Sequence, residues 1–366
     1  MDRFAPLRRP STLAALLLFV ASSAVADGRF DAFGELLAAF RTQNAIPALV
    51  AVVVEDGAIA WESAWGTADD EGEVPATPDT VFWIASVTKP LAATAILAEA
   101  AAGRLSPATP LSADPGWAET CEWLRGTRIP FGGGTTLEDG TVLPPVACDR
   151  ELTIRDALDM KVNGPAGHGF VYNPIVYARL DRVIEGAGGR PLREIVRERV
   201  VDPAGMRDTA LGWRDPDGGA ALRLLAPPFA LDEEGRPQKA PFPDDDFRAA
   251  AGVYTSARQL ARFDIAFDSD ALLPPEVRAE IVDAPEGYSS GWFHQTWDGH
   301  RLLWHSGWEP DAYSALYLKV PDEHLTLILL ANTEGLWWGN SLVRAEVEKS
   351  PLAAAFLAAF VEPAGE

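Results

Sequence analysis

The usual signatures of metal and redox chemistry are almost absent from this chain. It has two cysteines, three methionines and five histidines in 366 residues. The histidines, at 168, 294, 300, 305 and 324, show no H-E-x-x-H spacing, and neither cysteine has partners at zinc-ligand spacing. No metal is therefore implied. Lysine is equally scarce, with five residues, and acidic side chains outnumber basic ones 53 to 31 for a formal charge of −22. So acidic a surface argues against nucleic acid or anionic lipid as partners, while leaving a small substrate open, because a cleft is free to differ from the surface around it. No apolar run approaches the ~20 residues that span a bilayer.

What is present begins with the first 26 residues. Arg3, Arg8 and Arg9, an apolar run from Leu13 to Val20, and small residues ending Ala24-Val25-Ala26 have the layout of a secretory signal peptide. The run is short for a span and no cysteine follows the junction to carry a lipid. The expectation is an exported protein, periplasmic or secreted, with no stable membrane anchor. The leader holds three arginines and one aspartate, so the remainder carries −24. Cys121 and Cys148 both lie beyond it, and in an oxidising compartment a disulfide between them is expected, two buried free thiols being the alternative.

Along the chain, Phe30 to Thr42 has apolar residues at helical spacing. Ala48 to Glu55 and Ala58 to Trp65 are β-rich runs joined by Asp56-Gly57, the mark of a hairpin. Lys89 to Ala102 reads as a helix with Gly103 to end it. Residues 104 to 150, rich in Pro, Gly and Thr, read as a surface excursion closed by the two cysteines. Helical periodicity returns at Ile175 to Gly186, Leu192 to Val201 and Thr255 to Phe267, with a Pro- and Asp-rich loop from Leu225 to Phe247. The last third holds four β-like segments between Trp292 and Ala331, then an apolar helix from Leu352 to Val361. Strands at both ends around a helical middle predict an α+β fold: one antiparallel sheet from N- and C-terminal segments, flanked by helices, with an inserted mainly helical lobe. The expected limits are 1–26 for the leader, 27–85 and 285–366 for the sheet lobe, and 86–284 for the helical lobe.

Chemistry enters at Ser86-Val-Thr-Lys89. With 15 serines and five lysines, chance alone supplies about 0.2 such S-x-x-K pairs, so the spacing is suggestive and needs support. A helix starting there puts Ser86 and Lys89 on one face, within reach of each other. A serine hydroxyl is a poor nucleophile until a base takes its proton, and a lysine of lowered pKa can be that base. An ordinary N-cap serine beside a solvated lysine is the plainer alternative.

Further motifs follow in order: Leu152-Thr-Ile-Arg-Asp-Ala-Leu, Phe170-x-Tyr172 with Tyr177, Pro203-Ala-Gly-Met-Arg-Asp-Thr209, Ala251-Gly252-Val-Tyr-Thr255-Ser256, Gly291-Trp292 and His305-Ser306-Gly307. With these the chain resembles the serine β-lactamase and penicillin-binding superfamily: class C β-lactamases, DD-peptidases and family VIII esterases. The resemblance implies a β-lactamase/transpeptidase-like fold and a serine hydrolase with Ser86 as nucleophile and Lys89 as partner. Tyr172 then shuttles the proton, its phenol lowered in pKa by the lysine ammonium. His305, Ser306 and Gly307 stand where relatives carry Lys-Thr-Gly, on a strand that holds the substrate carboxylate. The backbone N–H groups of Ser86 and Trp308 are implied as the oxyanion hole.

The chain departs from that pattern in three places. Relatives have Tyr-x-Asn, whereas Tyr172-Asn173-Pro174 puts proline, which has no side-chain donor, at the asparagine position. Asn173 is the neighbouring candidate for substrate binding. His305 replaces lysine with a weaker, pH-dependent charge, and Met160-Lys-Val-Asn-Gly164 replaces the His-Thr-Ser-Gly run. These changes weaken the case for β-lactam and peptide hydrolysis more than for ester hydrolysis.

Gly287-Tyr-Ser289-Ser-Gly291 also matches the G-x-S-x-G nucleophile elbow, but that turn needs a helix after it, and a β-like run follows. The expected function is acyl-enzyme hydrolysis of esters or D-amino-acid peptides and amides, the partner being a small-molecule or peptide acyl substrate. A true class C-like β-lactamase and a catalytically eroded penicillin- or peptidoglycan-binding protein are the alternatives.

Overall fold

The computed structural model describes residues 28–126, 134–137, 140–243, 246–340 and 342–362. The expected leader, 1–26, lies outside the described residues. Strands β1 (Ala48–Glu55) and β2 (Ala58–Gly66) form the expected hairpin, with Asp56 and Gly57 both at positive φ in its turn. From the C-terminal part come β3 (Gly287–Ser289), β4 (Trp292–Trp297), β5 (His300–Glu309), β6 (Tyr313–Val320) and β7 (Leu325–Ala331). They assemble as one antiparallel sheet in the order β3-β4-β5-β6-β7-β1-β2, with the two ends of the chain joined where Leu49 pairs Ala331 and Glu55 pairs Leu325. The α+β architecture expected from the sequence is the one observed.

β1 is buried from Ala48 to Val54, which explains why it reads as a continuous apolar run rather than an alternating one. Helix α1 (Gly28–Gln43) packs against the C-terminal helix Pro351–Phe360 through Phe33, whose ring lies 5.8 Å from Phe356 and 5.6 Å from Phe360. Trp61 of β2 joins this cluster, 6.2 Å from Phe33. Ala257–Asp268, started by a Ser256 side chain that accepts from the Gln259 N–H, packs against β1 and β7.

Helix α2 (Thr88–Ala101) is buried from Thr88 to Glu99 and ends at Gly103, with φ of 69°. A small three-stranded sheet, Val81–Trp83 with Val253–Ser256 and Ala210–Leu211, leads the chain into it. That sheet is not anticipated from the sequence, since strands of two to four residues carry no periodicity. The 104–150 excursion is more structured than its composition suggests. It holds a helix at Trp117–Gly126 and a short ladder, Thr135–Thr136 with Val142–Leu143, and Cys121 is joined to Cys148 as expected. Among the described residues no helix is long and apolar enough to cross a membrane.

Candidate active site

Ser86 sits in a short 3₁₀ turn, Ala85–Val87, between the strand Val81–Trp83 and α2. The residue before it, Ala85, has φ of 46°, a left-handed conformation that an alanine adopts only under constraint from its surroundings. The constraint is visible in β5. A Cβ on Gly307 would lie 2.3 Å from the Ile84 carbonyl oxygen, so the strand runs directly against the backbone that presents Ser86. Glycine is needed at 307 for that approach. Gly291 does the same on the other side of the site, where a Cβ would meet the Lys89 carbonyl oxygen at 2.7 Å.

One helical turn after Ser86, Lys89 Nζ is 2.8 Å from Ser86 Oγ and 2.9 Å from the Ala250 carbonyl oxygen. The lysine is fully buried, and it forms no ion pair among the described residues. Burial without a counter-charge pushes its pKa well below the ordinary lysine value. A neutral Lys89 amine then accepts from the Ser86 hydroxyl in the same geometry in which an ammonium donates to it.

Tyr172 completes the group. Lys89 Nζ lies 5.0 Å from the centre of its ring, and its hydroxyl hydrogen-bonds Ser86. The phenol is not lowered in pKa, contrary to expectation. Burial raises it, and the bond to Ser86 offsets only part of that rise. The lysine cannot supply the expected downward pull, because its own charged form is disfavoured. Phe293 stacks on the Tyr172 ring at 5.7 Å and 12°, and Tyr288 meets it edge-on at 5.8 Å and 80°.

His305 is fully buried behind this group, its ring 6.0 Å from that of Tyr172. Nε2 is 3.1 Å from the Tyr288 hydroxyl and Nδ1 is 2.8 Å from the Ser306 carbonyl oxygen. Burial pushes its pKa well below the usual value. A neutral imidazole with both nitrogens engaged is not the carboxylate-holding cation expected at this position. Asn173 is also placed otherwise than expected. Its Oδ1 accepts from the Val176 N–H at 3.1 Å and its Nδ2 donates to Asn163 Oδ1 at 3.1 Å. It caps the helix Pro174–Ala178 with Pro174 at the first helical position, where a missing N–H costs nothing.

A cavity of about 300 Å³ opens onto Ser86, walled by Trp83, Tyr172, Pro174, Ser306, Trp308 and Trp337 among others. It brings together Ser86, Tyr172, Ser306 and Trp308, and leaves His305 and Asn173 outside. Trp308 stacks on Trp337 at 5.0 Å and 12°. A larger cavity of about 460 Å³, lined by Asp181, Arg193, Arg197, Asp215 and Arg248, holds no part of this group. Its arginines are paired: Arg193 with Asp246, Arg197 with Asp215 and Arg248 with Asp181.

The G-x-S-x-G segment is a strand and turn leading into β4, as expected, and Ser289 Oγ donates to Asp159 Oδ1 at 3.0 Å. Tyr288, Phe293 and Trp83 shape the site, although no local pattern in the sequence assigns them to it. No group of metal-ligating side chains suited to an ion occurs among the described residues.

The family described as Beta-lactamase matches residues 33–339. Among curated proteins, Esterase EstB of Burkholderia gladioli is 30% identical over 190 residues, 46% of this chain and 48% of the esterase. A D-aminopeptidase of Cereibacter sphaeroides is 25% identical over 311 residues, 79% of this chain and 57% of that protein. The chain thus spans about half the length of the curated relatives it matches. The structure of a class C beta lactamase from Rhodobacter sphaeroides superposes with a TM-score of 0.62 at 19% identity, covering 92% of this chain and 100% of that one, a likeness of fold.

Proposed function

The chain belongs to the Beta-lactamase family, and on that premise we propose that it is a serine hydrolase that works through an acyl-enzyme on esters or D-amino-acid peptides and amides. The observation that carries the reading is the 2.8 Å pairing of Ser86 Oγ with a fully buried lysine that has no counter-ion among the described residues. Ser86 attacks the substrate carbonyl while Lys89 takes its proton, forming the Oγ–C bond. The oxyanion is received by the N–H groups of Ser86 and Trp308, a role supported by the contact of Gly307 with the Ile84 carbonyl, which draws β5 against the Ser86 backbone.

Tyr172, kept as a neutral phenol by burial, relays the proton from Lys89 to the leaving alcohol or amine as the carbonyl reforms. Water then attacks the Ser86 ester and gives its proton to Lys89, which returns it to Ser86 Oγ as the Oγ–C bond breaks and the acid leaves. Ser306 and Gly307 line or shape the substrate side. His305 acts behind them, holding Tyr288 against Tyr172. No cofactor takes part in this sequence. The esterase and D-aminopeptidase names of the relatives support the two substrate classes.

Export to the periplasm or beyond belongs to the same proposal, supported by the Cys121–Cys148 disulfide. Wild type and Ser86→Ala, assayed on p-nitrophenyl esters, D-alanine amides, D-Ala-D-Ala peptides and nitrocefin, test the reading. Ester or amide turnover should fall by about 10³-fold or more in the variant. A fluorophosphonate should add its mass to the Ser86 peptide of wild type only. Full ester turnover by Ser86→Ala would sink the assignment, and an adduct with no turnover of any substrate would leave only a binder.

A further inference from the structure

The cavity over Ser86 is walled by indoles and is poor in charge. Trp83, Trp308 and Trp337 all line it. Trp308 has already used its one donor, giving its Nε1–H to Glu334 Oε2 at 3.0 Å. Trp83 has not. It is 2% exposed, its ring stacks on Tyr254 at 6.3 Å and 27°, and its Nε1 has no hydrogen-bond partner among the described residues. Ser306 Oγ, 3% exposed on the same cavity, has none either. A buried indole N–H is a donor only, so it calls for an acceptor, and the space that Trp83 lines is the cavity at Ser86.

The charge of the lining points the same way. Among its described residues there is no Lys, Arg or His, and Glu309 is the one carboxylate. His305, at the position where a cation was expected, is buried and has both ring nitrogens engaged. A substrate carboxylate entering this cleft would lose its hydration and find no cation among the described lining residues.

We propose that the cleft selects acyl substrates whose recognised portion carries no carboxylate, and that Trp83 is a specificity-determining residue that donates its indole N–H to a neutral oxygen of the substrate. This rests on the reading of Ser86 as nucleophile, and it divides the two proposed substrate classes. Neutral esters and amides fit the cleft, and peptides ending in a free carboxylate do not.

The test uses matched p-nitrophenyl esters: hexanoate, 5-oxohexanoate, and the mono-ester of adipate, which differs from hexanoate by a terminal carboxylate. In wild type, kcat/KM for hexanoate should exceed that for adipate by about 50-fold or more. The ratio should persist in about 0.5 M NaCl, where repulsion by the acidic surface is screened. Trp83→Phe keeps the ring and removes the donor. It should lower kcat/KM for the oxo ester by about 10-fold more than it lowers kcat/KM for hexanoate. Equal rates on hexanoate and adipate, or a ratio that collapses in salt, overturn the charge selection. An equal loss on both neutral esters overturns the role of Trp83. Turnover of none of the three, with no acylation of Ser86, takes down the nucleophile reading as well.

Discussion

Lys89 Nζ stands 2.8 Å from Ser86 Oγ and 2.9 Å from the Ala250 carbonyl oxygen, in a fully buried position. Its folded pKa is depressed by burial, so between that value and the ordinary lysine value the unfolded chain binds the extra proton. Lys89 therefore lowers stability at neutral pH, and the deficit shrinks as pH rises toward the unfolded pKa. Lys89→Met should raise Tm by about 2–4 °C at pH 7 while reducing ester kcat/KM by about 10³-fold or more. The wild-type kcat/KM profile should have an acid limb below the ordinary lysine range, read in a pH–rate series. A limb at or above that range, or a less stable Lys89→Met, contradicts the assignment.

Pro174 walls the cavity next to Tyr172, while Asn173 behind it caps the helix. Asn173→Ala removes the cap and the bond to Asn163 Oδ1, so it should destabilise by roughly 1–2 kcal/mol in urea titration. Pro174→Asn puts a side-chain amide at the cavity wall in a helix position that tolerates it. The ratio of amide to ester kcat/KM should rise by about 10-fold, with stability changed by less than about 1 kcal/mol. An unchanged ratio would mean that residue 174 does not touch the scissile amide.

The parts of the site that were legible in the sequence are those encoded locally or in ordered motifs. Ser86 and Lys89 meet because they are three residues apart at a helix start, and Asp56-Gly57 makes its hairpin by turn chemistry alone. Tyr288 and Phe293 were not legible as site residues, because they reach Tyr172 across more than 100 positions through pairing of β3 and β4. The neutral state of His305 depends on burial that no local pattern encodes. Asn173 shows the opposite case. Asn-Pro is a readable cap and first-turn pair, but the motif register drew it toward the cleft. The helix Trp117–Gly126 was hidden by the Gly- and Pro-rich chain around it.

Cys121 and Cys148 close a loop across a sequence separation of 27, fastening the helix Trp117–Gly126 to the segment that leads into Leu152. Loop closure of that length predicts a loss of about 3.5 kcal/mol when the bond is removed. Cys121→Ser with Cys148→Ser should shift the urea midpoint accordingly. Ester kcat/KM below the new transition should stay within about 3-fold, because neither cysteine lines the cavity at Ser86. A large loss of activity in the folded double variant would place the loop in the site.

His294 on β4 is 3% exposed, with Nε2 3.3 Å from the Ser289 carbonyl oxygen. Burial lowers its pKa from 6.5 to about 4. In that window the unfolded chain holds the proton and the folded chain does not, so stability falls as pH drops from 6.5 toward 4. A shift of this size corresponds to about 3 kcal/mol at the acid end of the window. His305, depressed in the same direction, adds to the slope. His294→Gln keeps a polar side chain at that position and does not titrate. Its urea-derived stability should therefore be flatter than wild type from pH 6.5 to 4, with ester kcat/KM at pH 7.5 changed by less than about 3-fold. Parallel stability curves for the two proteins would show that His294 takes up its proton in the folded state as readily as in the unfolded chain.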